Sequence, residues 1–151
     1  MAEESFFLRV LSPLGPAFQG MARAATLPTA EGEITILAHH MPMVAVLVDG
    51  EMRIDTDKGE VSVAIAGGFL DTGGRGGTSQ TDWPWEAIIL SDFAMQSDSI
   101  EIARVEEAKA RAERLLDERK ERSELILVER DLQRSILQLK IAEKVKMRRR
   151  T

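Results

Sequence analysis

Few residues of this 151-residue chain have the type and spacing that chemistry requires. His39 and His40 are adjacent. Neighbours in a strand point to opposite faces, so the two imidazoles would not close on one ion. The chain has no cysteine, and two histidines without a third ligand do not make a zinc site, so no metal is predicted. Gly73-Gly74-Arg75-Gly76-Gly77 could turn backbone amides toward a phosphate. It lacks the Gly-Lys-Ser/Thr ending of a phosphate-binding loop, and no helix follows it directly, so a flexible hairpin loop is the simpler reading. Trp83-Pro84-Trp85 carries both tryptophans of the chain. It reads as a lid on an apolar core or as a patch for a partner. The methionines, Met41 and Met43 among them, read as adaptable packing. No nucleophile, base and orienting group can be assembled, so no catalytic residue is predicted.

The elements that would position these residues change character once. Every glycine and proline lies at or before Pro84. Up to Leu90 the chain is short apolar runs between turn formers, which read as strands. Phe6–Leu11 is the first. Ala17-Phe18 and Met21–Leu27 are short strands around Gly20, and Glu33–Leu37 alternates. Met43–Val48 is apolar on both faces and is expected to be buried. Asp49-Gly50 is a hairpin signal. Glu51–Asp55 and Glu60–Ala66 flank a turn at Asp57-Lys58-Gly59. Phe69-Leu70 continues past Gly67-Gly68, Thr72–Asp82 is a polar glycine-rich loop, and Trp85–Leu90 is the last strand. Eight to ten close strands with no helix between them predict an antiparallel sandwich or barrel.

After about Asp98 the spacing becomes helical. Asp98 with Glu101 fits a capping box, and Ser99 fits the cap position equally well. Val105, Ala108, Ala112, Leu115 and Leu116 form one apolar stripe, and Leu125, Val128, Leu132, Ile136, Leu139 and Ala142 form another. Asp117 to Glu124 between them has no apolar residue, which predicts a two-helix antiparallel hairpin. No glycine or proline enforces that break, so one long helix is also locally allowed. The prediction is therefore an α+β chain. A sandwich covers about residues 4–94 and a helical hairpin about 98–148, with the domain boundary at 96/97.

Charge follows the same division. Residues 1–98 hold 5 Lys/Arg against 14 Asp/Glu, and residues 99–151 hold 15 against 11. A basic helical end points to an acidic partner. The interspersed acids are unlike a helix that tracks phosphates, so no nucleic acid is expected; a solvated face laced with i,i+4 pairs is the simpler reading. No apolar run approaches the ~20 residues that span a bilayer. MAEESFFLRV has no basic region ahead of an apolar one, so no signal peptide is read.

Several motifs, in order, carry a resemblance. Gly32-Glu33-Ile34-Thr35-Ile36-Leu37-Ala38-His39-His40-Met41-Pro42 resembles a Gly-Glu…Leu-Pro-x-His-x-Pro segment of the epsilon subunit of rotary F-type ATP synthases. Val10-Leu11-Ser12-Pro13 and Phe18-Gln19-Gly20 resemble its opening strand and turn. Ala66-Gly67-Gly68-Phe69 resembles its glycine pair, and Leu90-Ser91-Asp92-Phe93-Ala94 the end of its sandwich. Ile100-Glu101-Ile102-Ala103-Arg104 resembles the start of its hairpin.

The resemblance implies a ten-stranded sandwich on the central rotor stalk, against the gamma subunit and the loops of the membrane c-ring. Glu33, His40 and Pro42 would lie toward the ring. The hairpin would regulate: folded on the sandwich it permits ATP hydrolysis, and extended along gamma it inhibits. Arg130, Arg134, Lys140 and Lys144 would then meet the catalytic alpha and beta subunits. The implied location is peripheral, on the cytoplasmic face of the cell's inner membrane, with membrane contact only through the complex. Three departures stand out. Ala38 replaces the usual proline, and the loop Thr72–Asp82 is long. The nucleotide signature reads Ile100-Glu101-Ile102-Ala103-Arg104-Val105, with Glu for Asp and Val for Ala. Arg134 matches a further arginine of the ATP-binding members, but Gln138 stands at the next arginine position. No cofactor is expected, and the altered signature argues against ATP as a regulatory ligand. The rival reading is a stand-alone nucleotide-sensing module that clamps phosphate between Arg104 and Arg134. A weaker one is a helical nucleic-acid adaptor.

Overall fold

A computed structural model of the chain describes residues 4–72, 85–117 and 122–150. The chain divides into two compact units, Met1–Gln96 and Ser97–Thr151. Among the described residues the first holds ten strands: β1 (Phe6–Ser12), β2 (Gly15–Ala22), β3 (Ala24–Thr29), β4 (Gly32–Leu37), β5 (Met43–Leu47), β6 (Gly50–Thr56), β7 (Gly59–Ala66), β8 (Gly68–Thr72), β9 (Glu86–Leu90) and β10 (Phe93–Gln96). They form one hydrogen-bonded sheet in the order β10-β7-β6-β3-β5-β8-β9-β1-β2, with β4 on β3. The sheet folds over a single core. Alternation decides which side chains fill it: Phe6, Leu8 and Val10 from β1, Leu27 from β3, Met52 and Ile54 from β6, Val63 and Ile65 from β7, Ile89 from β9. Trp85 closes the core edge-on against Phe6, with ring centroids 4.9 Å apart. Trp83, Pro84 and the loop residues 73–82 lie outside the described residues.

Four expectations for this unit need correction. Gly20 is not a turn; it lies inside β2, and the chain bends at Arg23. Asp49-Gly50 is not a hairpin. β5 pairs with β8 and β6 with β7, and Gly50 is absent from the glycines at positive φ that a tight two-residue hairpin would need. Met43–Val48 is not buried on both faces, because only one side of β5 meets the core. One pairing is not antiparallel: β1 runs parallel to β9. The turn at Asp57-Lys58-Gly59 does join β6 to β7, with Gly59 at φ 120° and the Thr56 hydroxyl donating to Gly59 O at 2.7 Å.

In the second unit a 3-10 turn (Ser97–Ser99) precedes α1 (Ile102–Asp117) and α2 (Arg122–Arg150), so the break falls in the polar stretch. The helices pack on each other. Asp98, ahead of α1, pairs with Arg149, near the end of α2, at 2.8 Å, which requires the antiparallel sense. Asp98 therefore does not cap α1, which starts four residues later. Ala108 and Ile136 are exposed rather than part of the stripes. On α2 the covered line runs Val128, Leu132, Ser135, Leu139, Ala142. Helical phase selects Ser135 over its apolar neighbour Ile136, and the Ser135 hydroxyl is satisfied by donating to Asp131 O at 2.9 Å. A second buried line, Leu137, Ile141 and Val145, was not part of the expected stripe.

Candidate functional site

One end of the outer face of β5, β8, β9 and β1 carries an apolar row, mostly exposed, while Arg9 and Glu86 pair elsewhere on that face. Register places Val46 opposite Phe69, Phe69 opposite Leu90, and Leu90 opposite Leu11, so four side chains form one row across four strands. Phe69 is 56% exposed, Val46 and Leu90 54% each, and Val44, on the same face, 71%. Scattered apolar residues need no explanation, but a contiguous row does. A groove of about 460 Å³ runs beside it, lined by Ser12, Pro13, Gly68 and Asp92 as well as by the row.

The glycine pair shapes this face. Gly68 has φ 119°, and a Cβ there would lie 2.0 Å from Leu90 O. Only glycine lets β8 approach β9 so closely. Ser91 ties the corner together. Its buried hydroxyl lies 2.7–3.1 Å from the carbonyls of Phe93, Gly67 and Ala66, so one proton is shared among three acceptors.

The loop between β4 and β5 is the second feature. His39 holds φ 61°, a conformation most side chains avoid. His40 Nδ1 lies 2.9 Å from Met41 O. A carbonyl only accepts, so Nδ1 carries the hydrogen. The buried Thr72 hydroxyl donates to the same carbonyl at 3.0 Å and accepts from Met43 N–H at 3.1 Å, which fixes the loop to β8. Met41 and Pro42 project outward. Met41 is thus not packing, as the sequence suggested, but exposed surface. Glu33 lies near the other end of β4 and is paired with Arg53 at 2.7 Å. His40 and Pro42 therefore share a loop, while Glu33 stands about four strand residues away, roughly 13 Å.

In the helical unit Arg104 is paired with Glu101 at 2.8 Å, and both are well exposed, while Ile100 is buried. The Asp98–Arg149 pair sets the helix register. It puts a position near residue 143 opposite Arg104, about nine residues and ~13 Å of helix beyond Arg134. Arg130, Lys140 and Lys144 are exposed on α2 and Arg134 is half-buried.

Residues 5–75 match the family model of the ATP synthase delta/epsilon chain β-sandwich domain. The ATP synthase epsilon chain of Ruminococcus albus is 36% identical over 139 residues, covering 92% of this chain and 97% of that one. This chain belongs to the ATP synthase epsilon chain family. The epsilon chain of Syntrophobacter fumaroxidans is 32% identical, covering 93% of this chain and 98% of the relative. In fold, the chain is similar to one in a cryo-electron-microscopy structure of the Euglena gracilis mitochondrial ATP synthase. That likeness has a TM-score of 0.56 and 20% identity, covering 95% of this chain and 80% of the other.

The sequence singled out the segment from Glu33 to Pro42 and missed the apolar row. The signal was present, since Val44, Val46 and Val48 alternate with Ala45 and Leu47. With every residue of the run apolar, the pattern equally suggests burial on both faces. Among the described residues no three His, Cys, Asp or Glu side chains gather to hold a metal, and no helix is long and apolar enough to cross a membrane.

Proposed function

We propose that the chain is a non-catalytic rotor subunit that docks on gamma through the Leu11–Leu90–Phe69–Val46 row. The edge carrying Glu33, His40 and Pro42 turns toward the c-ring loops, and the hairpin restrains ATP hydrolysis at the alpha and beta subunits. The uncovered row is the observation that carries this reading. An isolated domain gains nothing from exposing it, whereas a subunit that must be gripped needs an apolar centre with a polar rim. Asp71 beside Val44, and Asp92 at the groove, supply part of that rim. The subunit then lies peripherally, on the cytoplasmic face of the cell's inner membrane.

Phe69→Glu tests the row. Charging the centre of an interface costs on the order of 2 kcal/mol or more, about 30-fold in affinity. Binding to the rest of the purified complex should fall by that factor with the thermal midpoint of the isolated chain unchanged. Full binding by the variant would rule out docking through this face.

Nucleotide is not part of the proposal. Arg104 is paired with Glu101, and Arg134 lies about two and a half turns along α2 from the position facing Arg104, which speaks against a phosphate clamp between the two arginines. Titration calorimetry should detect no ATP binding to the isolated chain at micromolar concentrations; a tight isotherm would restore the sensing role.

A further inference from the structure

Carboxylates flank the apolar row on both sides. The next row on the same face lies two residues along each strand and runs Val44, Asp71, Ile88, Arg9. Asp71 is exposed there between two apolar neighbours. Arg9 is the one base of that row. It stands two strands from Asp71, about 10 Å, and is paired with Glu86 at 2.6 Å. On the other flank Asp92 lines the groove, and Asp49 Oδ1 lies 3.9 Å from where a Cβ on Gly67 would sit. Among the described residues no hydrogen bond or ion pair engages Asp49, Asp71 or Asp92.

No base on the page offsets these three. Residues 1–98 hold only five Lys/Arg. Besides Arg9, Arg53 is paired with Glu33. Arg23 and Lys58 line a separate slot that shares no residue with this groove. Arg75 lies outside the described residues. The row is therefore an apolar strip between negative margins, and that narrows what can cover it. Two copies meeting through this face on a two-fold axis would set one net-negative patch against another. An anionic membrane surface would be repelled in the same way.

We propose that the gamma segment seated on the row is apolar at its centre and basic on both flanks, with one Lys or Arg meeting Asp71 and another meeting Asp49 and Asp92. Apolar contact holds the segment, while the charges steer its approach and reject acidic competitors. The inference rests on docking through the row, and its test separates the two.

Charges at the margin of an interface act mainly on association. Asp71→Asn combined with Asp92→Asn should slow association with the rest of the purified complex about tenfold at ~50 mM salt, leave dissociation within about twofold, and lose most of the dependence on salt up to ~500 mM. Asp92→Lys should associate more slowly than Asp92→Asn. Phe69→Ser removes apolar contact without adding charge, so it should speed dissociation at both salt concentrations and keep the salt dependence. Fast dissociation of Phe69→Ser alongside an unchanged association rate in the double Asp variant would overturn the basic flanks and leave the row standing. Equal rates for Asp92→Asn and Asp92→Lys would overturn them too. Unchanged binding by Phe69→Ser would remove the row and this inference together.

Discussion

The sandwich and the hairpin bury apolar surface to different depths. In the sandwich, Leu8, Leu27, Ile36, Ile54, Ile65 and Ile89 are 0% exposed. In the hairpin the best-covered apolar side chains, Ile141, Ala112 and Val145, keep 4–5%, and α1 contributes only Val105 and Ala112 to its buried residues. The sandwich also has backbone positions that only glycine fills, whereas the hairpin has no glycine at all. One unit has its shape fixed from within. The other is built of strong helix formers whose backbone hydrogen bonds are all local, so its helices can part without either losing them. A rigid platform carrying a separable helix pair suits the docking and restraining roles proposed above.

The largest expected effect breaks the rigid side of this contrast. Gly68→Ala places a Cβ against the Leu90 carbonyl at positive φ. It should cost at least ~3 kcal/mol and lower the midpoint of thermal unfolding by about 12 °C or more. Gly67→Ala, at φ 58° with ordinary contacts, should cost only ~1 kcal/mol. Equal midpoints for the two variants would mean that β8 can move away from β9.

Removing residues 122–151 addresses the separable side. ATP hydrolysis by the assembled complex should rise several-fold under conditions that inhibit the full enzyme, with assembly intact, because the sandwich core is complete without the helices. An unchanged rate would end the inhibitory reading of the hairpin.

The finest distinction lies within α2. Ile136→Ser should change the stability of the hairpin by no more than about 0.5 kcal/mol, since Ile136 is exposed. Leu139→Ser, in the covered line, should cost more than ~1 kcal/mol. Circular dichroism during denaturant unfolding of the full chain would separate them, and a reversed order would refute the assigned phase.

Alternation and turn chemistry made the strands legible, because Phe6, Leu8 and Val10, or Met52 and Ile54, must face one way and Gly59 must allow its turn. Which strands pair was not legible. Asp49-Gly50 looks local, yet the chain there passes between two different partners, and β1 finds β9 rather than a sequence neighbour. The apolar row was hidden for a related reason: an isolated strand does not say whether its second face meets core, solvent or another protein. Helical phase was recoverable in principle, but an apolar side chain at 136 outweighed a serine at 135 that carries its own hydrogen bond.

The parallel pairing of β1 with β9 has a consequence for synthesis. Phe7 lies beside Glu86, so the first strand made waits for nearly the last strand of its unit. At ~5–20 residues per second, about 80 residues take roughly 4–16 s to follow it from the ribosome. For that interval Phe6, Leu8 and Val10 have no β9 edge to join, and β1 has β2 alone beside it. Contacts this distant in sequence form slowly even in free solution. The nascent chain is therefore most open to capture by a chaperone, or to mispairing with another nascent copy, before Leu90 emerges. The hairpin, whose contacts are local, is made only after that interval ends.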